Sequence, residues 1–517
     1  MKRRYLTTPL YYVNARPHLG HAYTTLLADV VKRHYRQRGE GVTLLTGTDE
    51  HGEKIAQMAG QQGKEPQVFV DEVSEDFKTT WQKMGLEFDV FYRTTAPSHV
   101  KAVQKALSLL KEKGEIEFRE YEGKYCVGCE RFLTDSELTS EGKCPDHLKT
   151  PEARKEGNYF FKMSLYQNDL IRYFESHPES IRPDHFRNEV LSFLRKEPLT
   201  DLCISRPKTR LTWGIEIPFD SKFVTYVWFD ALLNYLVATG WPEKFDAELW
   251  GSVTHFLAKD IVKTHSVYWG AMLMALGVAP ARSLNVSGYW LVGGTKMSKS
   301  LGNVIRPLEV EAQYGLETLR FYLLREMSYG LDATFTLEAF VNAINAYLAN
   351  GIGNLASRVL TLCQKNLAEP VSNLVFESAD QELLAKRSDL LAAWDRSFEE
   401  LKFQNALKAW SDLVTACDLY INDQKPWALA KDPAQKARLT TVLGTCVLVL
   451  RTLAAVIYPV LPQASEKLAR SVGLDLSEAG VDLKIISETN LHAWKAPLEV
   501  PKLFMRVSLP VEAPSES

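Results

Sequence analysis

The chain has 517 residues, 45% apolar and 24% charged, the balance of a globular protein and too long for one ordinary core, so roughly two to four domains are expected. A formal net charge of −3 excludes a globally basic nucleic-acid binder, and any RNA surface must come from local basic clusters. Met1-Lys2-Arg3-Arg4-Tyr5 is basic with no apolar stretch behind it, so no signal peptide is expected. The nearest thing to a membrane span, residues 442–460, contains Arg451 and Pro459 and reads as a buried bundle helix. A cytoplasmic protein is expected.

Residues 4–8 read as a strand, followed by Pro9 and the turn-prone Asn14-Ala15-Arg16-Pro17. An apolar-periodic helix then runs from Leu19 through Leu26, Leu27, Val30 and Val31 to Tyr35. His18 and His21 fall in its first turn, where unpaired N–H groups and the helix dipole favour phosphate. Their imidazoles can donate to phosphoryl oxygens, and Gly20 lets a base or phosphate approach the backbone. Taken alone, two helix-start histidines without a ligand would look the same. Further strands are expected at 42–46 and 90–92, and helices at 26–36, 68–83 and 99–112. That alternation, up to about residue 115, predicts a parallel α/β sheet with crossover helices. Asp49 lies just past a strand end, placed either to hold a substrate ammonium or to cap the next helix.

Residues 116–214 break the pattern with charged loops and two knuckles, Cys126-Val127-Gly128-Cys129 and Cys144-Pro145-Asp146-His147. Cys126, Cys129, Cys144 and His147 have the spacing of a tetrahedral structural zinc site with no position open for water. Cys203, Cys363, Cys417 and Cys446 are scattered singly and read as small buried residues. From 215 the alternation resumes: strand 223–226, helix 229–237, strand 254–257, helix 261–276, strand 283–286. One sheet, with halves at 1–115 and 215–303 split by the 116–214 insertion, explains this better than two independent domains. Next come Asn285-Val286-Ser287-Gly288-Tyr289-Trp290, a strand candidate ending near a glycine, a flexible hinge at Val292-Gly293-Gly294-Thr295, and the loop Lys296-Met297-Ser298-Lys299-Ser300. Lys296 and Lys299 are suited to closing over a polyphosphate and stabilising a departing pyrophosphate. With the histidine pair, they read as an ATP site that activates a carboxylate as an acyl-adenylate.

Past residue 304 strand periodicity gives way to long amphipathic helices at 337–364, 379–398, 404–422 and 439–458, with a loop at 367–377. A connecting segment, 304–340, an all-α bundle, 341–511, and a disordered tail, 512–517, are expected.

His18-Leu19-Gly20-His21 and Lys296-Met297-Ser298-Lys299-Ser300 resemble the paired signatures of class I aminoacyl-tRNA synthetases. Four further stretches are similar to the methionyl-tRNA synthetase family: Thr8-Pro9-Leu10-Tyr11-Tyr12-Val13-Asn14, Gly47-Thr48-Asp49-Glu50-His51-Gly52, Tyr226-Val227-Trp228-Phe229-Asp230-Ala231 and Lys259-Asp260-Ile261-Val262-Lys263-Thr264-His265. The resemblance covers most of the catalytic half and continues into the helical half. It implies an α/β Rossmann-type catalytic domain split by the zinc-knuckle insertion, then an all-α helical anticodon-binding bundle. It implies a methionine–tRNA ligase that makes methionyl-adenylate from ATP, taken with Mg2+, and transfers methionine to the 3′-terminal ribose of tRNA(Met), initiator tRNA included.

In that resemblance His18, His21, Lys296 and Lys299 are catalytic, and Gly20, His21, Asp260, Gly288, Lys296 and Lys299 bind ATP. Asp49 holds the methionine ammonium, and Leu10, Tyr12, Trp228, Ala231, Leu232, Tyr235, Ile261, His265 and Trp269 surround the side chain. One structural Zn2+ organises the insertion without touching the chemistry. Asn354, Arg358 and Trp427 read the anticodon. A monomer is expected. By spacing alone, Trp228, Leu232 and Tyr235, and likewise Ile261, His265 and Trp269, are helix faces that plain core would also produce. His265 is either a satisfied core histidine or a donor near the sulfur with Tyr12. Asn354 with Arg358 would also serve as a surface pair, and Trp427 as a bundle-core residue or a base-stacking indole. The sequence departs from the family at three points: Leu19 in the first signature, Ala258 where glycine is usual, and Thr264 where a bulkier residue is common.

Overall fold

A six-stranded sheet organises the first half of the computed structural model, in the order Val90–Arg93, Gly41–Asp49, Arg3–Tyr12, Thr254–Ala258, Ser283–Ser287, Ile181–Arg182. Leu45 lies opposite Val90, Leu6 opposite Thr254, Thr254 opposite Ser283 and Leu284 opposite Ile181, all in parallel pairs. The structure describes residues 2–127, 131–133, 135–145, 148–297, 303–476 and 488–509. The chain divides into two units, one of residues 3–28 and 43–287, the other of residues 1–2, 29–42 and 288–517. In the first unit, strand order turns back between Arg3–Tyr12 and Thr254–Ala258. This is the switch point at which open α/β sheets take ligands beside the carboxyl ends of their strands.

The stretch expected to be charged loop is a second sheet. Ile116–Cys126 and Glu152–Phe161 pair antiparallel from Ile116 opposite Phe161 to Tyr125 opposite Glu152. Arg131–Leu133 and Leu202–Cys203 form its edges. Charged residues along an antiparallel sheet with a solvated face mask the strands in composition. From the same stretch, Ile181–Arg182 pairs with Leu284 and Asn285 at the edge of the parallel sheet. Two residues are too few for a period to show.

Three expected helices are broken, and one of them, 337–364, is Leu337–Ala343, a π segment at Ile344–Gly353 with a kink at Gly351, and Asn354–Asn366. Residues 229–237 lie in two short helices, Val227–Leu232 and Asn234–Val237. The 261–276 helix is instead a 3-10 turn, Lys259–Ile261, a π segment, Thr264–Tyr268, and an α-helix, Trp269–Ala275. Apolar spacing marks the inner face but does not register a change of pitch, and π turns of this kind often sit at functional sites.

The second unit is helical, with Leu337–Ala343, a π segment at Ile344–Gly353, Asn354–Asn366, Ser378–Glu399, Phe403–Gln424, Lys436–Ile457 and Pro462–Ser471. One short strand does occur past 304: Ala333–Thr334 runs parallel to Trp290–Val292. The glycine pair expected to be a hinge is a tight hairpin. Val292 pairs with Thr295 across Gly293 and Gly294, whose φ of 60° and 75° suit a primed two-residue turn. Pro433–Ile457 is the one helix among the described residues long and apolar enough to cross a membrane, and 94% of its most apolar window is buried as bundle core.

A buried charge cluster sits in this unit. Asp29 accepts from Arg33 Nε at 3.1 Å and from Arg320 Nη2 at 2.6 Å. Arg320 also donates to the carbonyls of Pro459 and Val460, both at 2.9 Å. Both Asp29 and Arg320 are essentially inaccessible to water. Replacing Asp29 by Ala strands two guanidinium groups away from solvent. The expected cost is about 3–5 kcal/mol in urea unfolding. A loss below ~1 kcal/mol would show that the cluster is dispensable.

Candidate active site

The first signature is a self-capping helix start. His18 precedes helix Leu19–Arg36 and accepts the Gly20 N–H on Nδ1 at 3.1 Å. His21 reaches back and accepts the His18 N–H on its own Nδ1 at 3.4 Å. The arrangement has the reciprocal form of a capping box, with imidazoles in place of hydroxyl and carboxylate. The rings stack with centroids 3.7 Å apart. With Nδ1 accepting in both, a ring proton falls to Nε2. A Cβ on Gly20 would sit 3.0 Å from His18 Cε1, so the glycine lets this ring fold over the first turn. Tyr11 backs the pair: its hydroxyl donates to the His21 carbonyl at 3.1 Å.

Asp49 ends strand Gly41–Asp49 and is 6% exposed. It does not cap the next helix: Glu53–Gln61 starts from Gly52, with no side-chain cap. Its neighbour Glu50 is fully buried and accepts from Thr48 Oγ1 at 2.7 Å, from Arg93 Nε and Nη2 at 2.6 and 3.0 Å, and from Thr95 Oγ1 at 2.5 Å. Trp213 Nε1 donates to the Glu50 carbonyl at 2.7 Å. The turn carrying Asp49 is therefore held from two other segments, 93–95 and Trp213. None of Glu50, Arg93, Thr95 or Trp213 stood out in sequence; an acidic residue at the end of an apolar strand was the only available signal.

The side-chain pocket residues do gather. Tyr235 Oη lies 3.0 Å from His265 Nε2, Trp228 meets the His265 ring edge-on at 6.3 Å, and Trp269 lies 6.1 Å from the Tyr235 ring. Leu10, Tyr12, Trp228 and Ile261 are half-buried, whereas Ala231, Leu232, Tyr235, His265 and Trp269 are buried behind them. Burial holds the Tyr235 hydroxyl well above the usual phenol range, with Tyr11 and Asp49 adding to the effect. Burial also pushes the His265 imidazole down to about 4, against opposing contributions from the Ile261 carbonyl and Asp260. The neutral ring donates Nδ1–H to the Ile261 carbonyl at 2.9 Å and accepts the Tyr235 hydroxyl on Nε2. Both ring nitrogens of His265 thus have partners within the protein. Asp260 is exposed on the 3-10 turn just beyond strand Thr254–Ala258.

In the second unit Lys296 ends the hairpin, with Nζ 3.2 Å from Tyr289 Oη and 4.3 Å from that ring's centroid. Lys299 lies outside the described residues. A Cβ on Gly288 would fall 2.1 Å from the Leu331 carbonyl oxygen, so passage of the backbone explains this glycine. Arg358 donates to Asp418 at 2.9 Å and to Asn422 at 2.7 Å, and its guanidinium lies 5.2 Å from the Trp427 ring centroid. Trp427 is 42% exposed, which removes the bundle-core reading. Asn354 is exposed at the start of helix Asn354–Asn366.

Cys126 and Cys144 are both buried and share a small apolar cluster with Leu133. The Leu148 N–H donates to the Cys144 carbonyl at 2.8 Å. Cys129 and His147 lie outside the described residues, and among the described residues no group of three or more His, Cys, Asp or Glu is placed to hold a metal. Two knuckle thiols drawn together from opposite ends of the loop do fit a soft, thiolate-preferring ion.

The chain is similar to known proteins over most of its length. A family model described as "tRNA synthetases class I (M)" matches residues 4–149 and 147–360, and one described as "Anticodon-binding domain of tRNA ligase" matches 380–499. The methionine–tRNA ligase of Clostridium acetobutylicum is 42% identical over 482 residues, covering 92% of this chain and 74% of that relative. That of Streptomyces coelicolor is 42% identical over 491 residues, covering 92% and 90%. The structure of Mycobacterium tuberculosis methionyl-tRNA synthetase in complex with methionyl-adenylate aligns with a TM-score of 0.92 at 34% identity, over 98% of this chain and 100% of that one.

The depressed imidazole has a consequence for stability. Below the unfolded-state value of about 6.5 the unfolded chain takes up a proton that folded His265 refuses until about pH 4. The contribution of this residue is therefore complete above pH 6.5 and lost as pH falls to 4. Urea unfolding between pH 7 and 4.5 should show a steeper loss for the wild type than for His265→Gln. Parallel curves would contradict a neutral, buried His265.

Proposed function

The chain belongs to the methionine-specific class I tRNA synthetases, and from that premise we propose how its residues divide the work of a methionine–tRNA ligase. In the first step a methionine carboxylate oxygen attacks the α-phosphorus of ATP, the bond to the β-phosphate bridge breaks, and methionyl-adenylate and pyrophosphate result. In the second, the terminal ribose of tRNA(Met) displaces AMP from the activated carbonyl. Positioning and charge stabilisation carry such chemistry.

Asp49 is the ammonium ligand. The observation that carries this is its place at a strand end beside Tyr235, with no capping role to explain it. Leu10, Tyr12, Trp228 and Ile261 form the near wall for the thioether, and the buried Ala231, Leu232, Tyr235, His265 and Trp269 back it. His18 and His21 direct their Nε2–H groups to phosphoryl oxygens at a helix N-terminus. Lys296 and Lys299 neutralise the leaving pyrophosphate. Asp260 accepts from a ribose hydroxyl, Gly20 and Gly288 lie in nucleotide-binding segments, and the added methyl of Ala258 bears on how the nucleotide fits. Thr264, the first residue of the π segment, sets the shape of the pocket behind Ile261. ATP enters as its Mg2+ complex.

Cys126, Cys129, Cys144 and His147 hold one structural Zn2+, which braces the loop between the two knuckles. Trp427 stacks on an unpaired anticodon base beside Arg358 and Asn354, since an exposed indole next to a fixed guanidinium is a stacking platform. The protein works as a cytoplasmic monomer on elongator and initiator tRNA(Met).

Pyrophosphate exchange driven by methionine tests the core of this reading. Asp49→Ala should lower kcat/KM for methionine by roughly 100-fold or more, the loss of a charged contact in the bound state. Exchange driven by valine or cysteine but not methionine would overturn the assignment. Trp427→Ala should leave exchange intact and reduce tRNA charging by about 5- to 100-fold. Equal loss in both assays would argue against an anticodon role. Metal analysis of purified protein should return one zinc per chain, and chelation should lower turnover without abolishing ATP binding; protein free of zinc at full activity would refute the knuckle site.

A further inference from the structure

Asp230 has no part in the assignments above, yet it is fully buried and its carboxylate is shared by two histidines. Oδ2 lies 2.6 Å from His51 Nδ1 and Oδ1 lies 2.6 Å from His99 Nε2. None of the three side chains is more than 8% exposed. Burial works to raise the Asp230 pKa, but the two imidazoles outweigh it and hold the carboxyl below its usual range. The other nitrogen of His99 faces Tyr92 Oη at 3.3 Å, and the His51 ring packs against Trp213 at 5.4 Å. A buried ion adds little net stability over apolar packing, but its short, directional bonds fix the groups that make them.

The elements it joins are the informative part. His51 stands two residues beyond Asp49, in the turn after strand Gly41–Asp49. Asp230 is on Val227–Leu232, the short helix that also carries Trp228, Ala231 and Leu232. His99 comes from helix Pro97–Glu112 and Tyr92 from strand Val90–Arg93, neither of which contributes to the methionine pocket. One carboxylate thus ties the ammonium end of the pocket to its side-chain end, braced from behind.

We propose that Asp230 is a positioning residue for the amino acid: its bonds to His51 and His99 set the separation between Asp49 and the Trp228 wall, so that methionine is gauged from ammonium to thioether. This rests on the roles given above to Asp49 and Trp228. Loosening the clasp lets those two groups shift independently, which weakens methionine placement and leaves the nucleotide segments alone.

The test is pyrophosphate exchange with the full-length enzyme, with KM for methionine and for ATP measured separately and thermal midpoints recorded. Asp230→Asn and His51→Ala should raise KM for methionine roughly 10- to 100-fold, the scale of a sub-ångström to ångström misplacement, with KM for ATP within about 3-fold of wild type. His51→Asn, whose amide N–H can occupy the place of Nδ1–H, should recover most of the loss. His99→Gln should lie between wild type and Asp230→Asn. Discrimination against ethionine, one methylene longer, should also narrow. If Asp230→Asn does not fold, the His51→Ala and His51→Asn pair decides. KM values for methionine and ATP that rise together, or no recovery in His51→Asn, would reduce the cluster to a fold element and overturn the proposal. Asp49→Asn run in parallel separates the two levels. An unchanged methionine KM there defeats the ammonium assignment itself, whereas a raised one with normal Asp230 and His51 variants defeats only the clasp.

Discussion

The parallel hydrogen bonding of strand Arg3–Tyr12 to strand Thr254–Ala258 is the constraint from which the first unit hangs. It closes a very long loop, and the entropic cost of closure grows only slowly with length, so a sheet can be assembled around insertions. The register places Thr7 opposite His255, and Thr7 Oγ1 bonds His255 Nδ1 at 2.6 Å inside the core. A one-residue slip would break that bond and turn each side chain to the other face. From the end of the first strand the chain runs to Tyr12 and the self-capped histidines. From the end of the second it runs to Asp260, His265 and the π segment. The switch point thus gathers residues that the sequence separates widely.

Within that frame, burial sorts the ionisable groups by whether they find partners. Glu50 is ringed by donors from Thr48, Arg93 and Thr95, and Asp230 is held below the usual carboxyl range by His51 and His99 against the effect of burial. His255 and His265 have no acid bonded to them, and burial drives both to the neutral form; for His255 the nearby His265 adds to the effect. A neutral imidazole then serves the pocket as an apolar surface with two oriented hydrogen bonds.

The same rule shapes the second unit. Asp29 is matched by two arginines, and Glu317 accepts the N–H groups of Gln463 and Ala464 at 2.6 and 2.9 Å, closing the start of helix Pro462–Ser471. Trp394 and Trp410 are buried in the bundle core, whereas Trp427 stands out at 42% exposure on the short helix Pro426–Leu429, next to a guanidinium fixed by Asp418 and Asn422.

Much of this was legible in sequence. The strand-to-helix start at His18, the resumption of alternation after the insertion and three of the four long bundle helices each follow from contiguous period, capping and turn residues, and the paired signatures with their flanking stretches identified the family. Less legible were the antiparallel sheet of Ile116–Cys126 and Glu152–Phe161, hidden by its charge, and the π segment Thr264–Tyr268, hidden because apolar spacing is nearly the same for either pitch. The edge strand Ile181–Arg182 was too short to read. Beyond sequence altogether were the partners of the buried groups. His51 and Asp230 are 179 positions apart, and His99 and Asp230 are 131 apart. Local order is written in neighbouring residues and can be read from them, so the sequence alone determined the elements, the family and the chemistry available. Which donor meets which buried carboxylate depends on chain segments brought together only by the sheet, and that was decided by the tertiary structure.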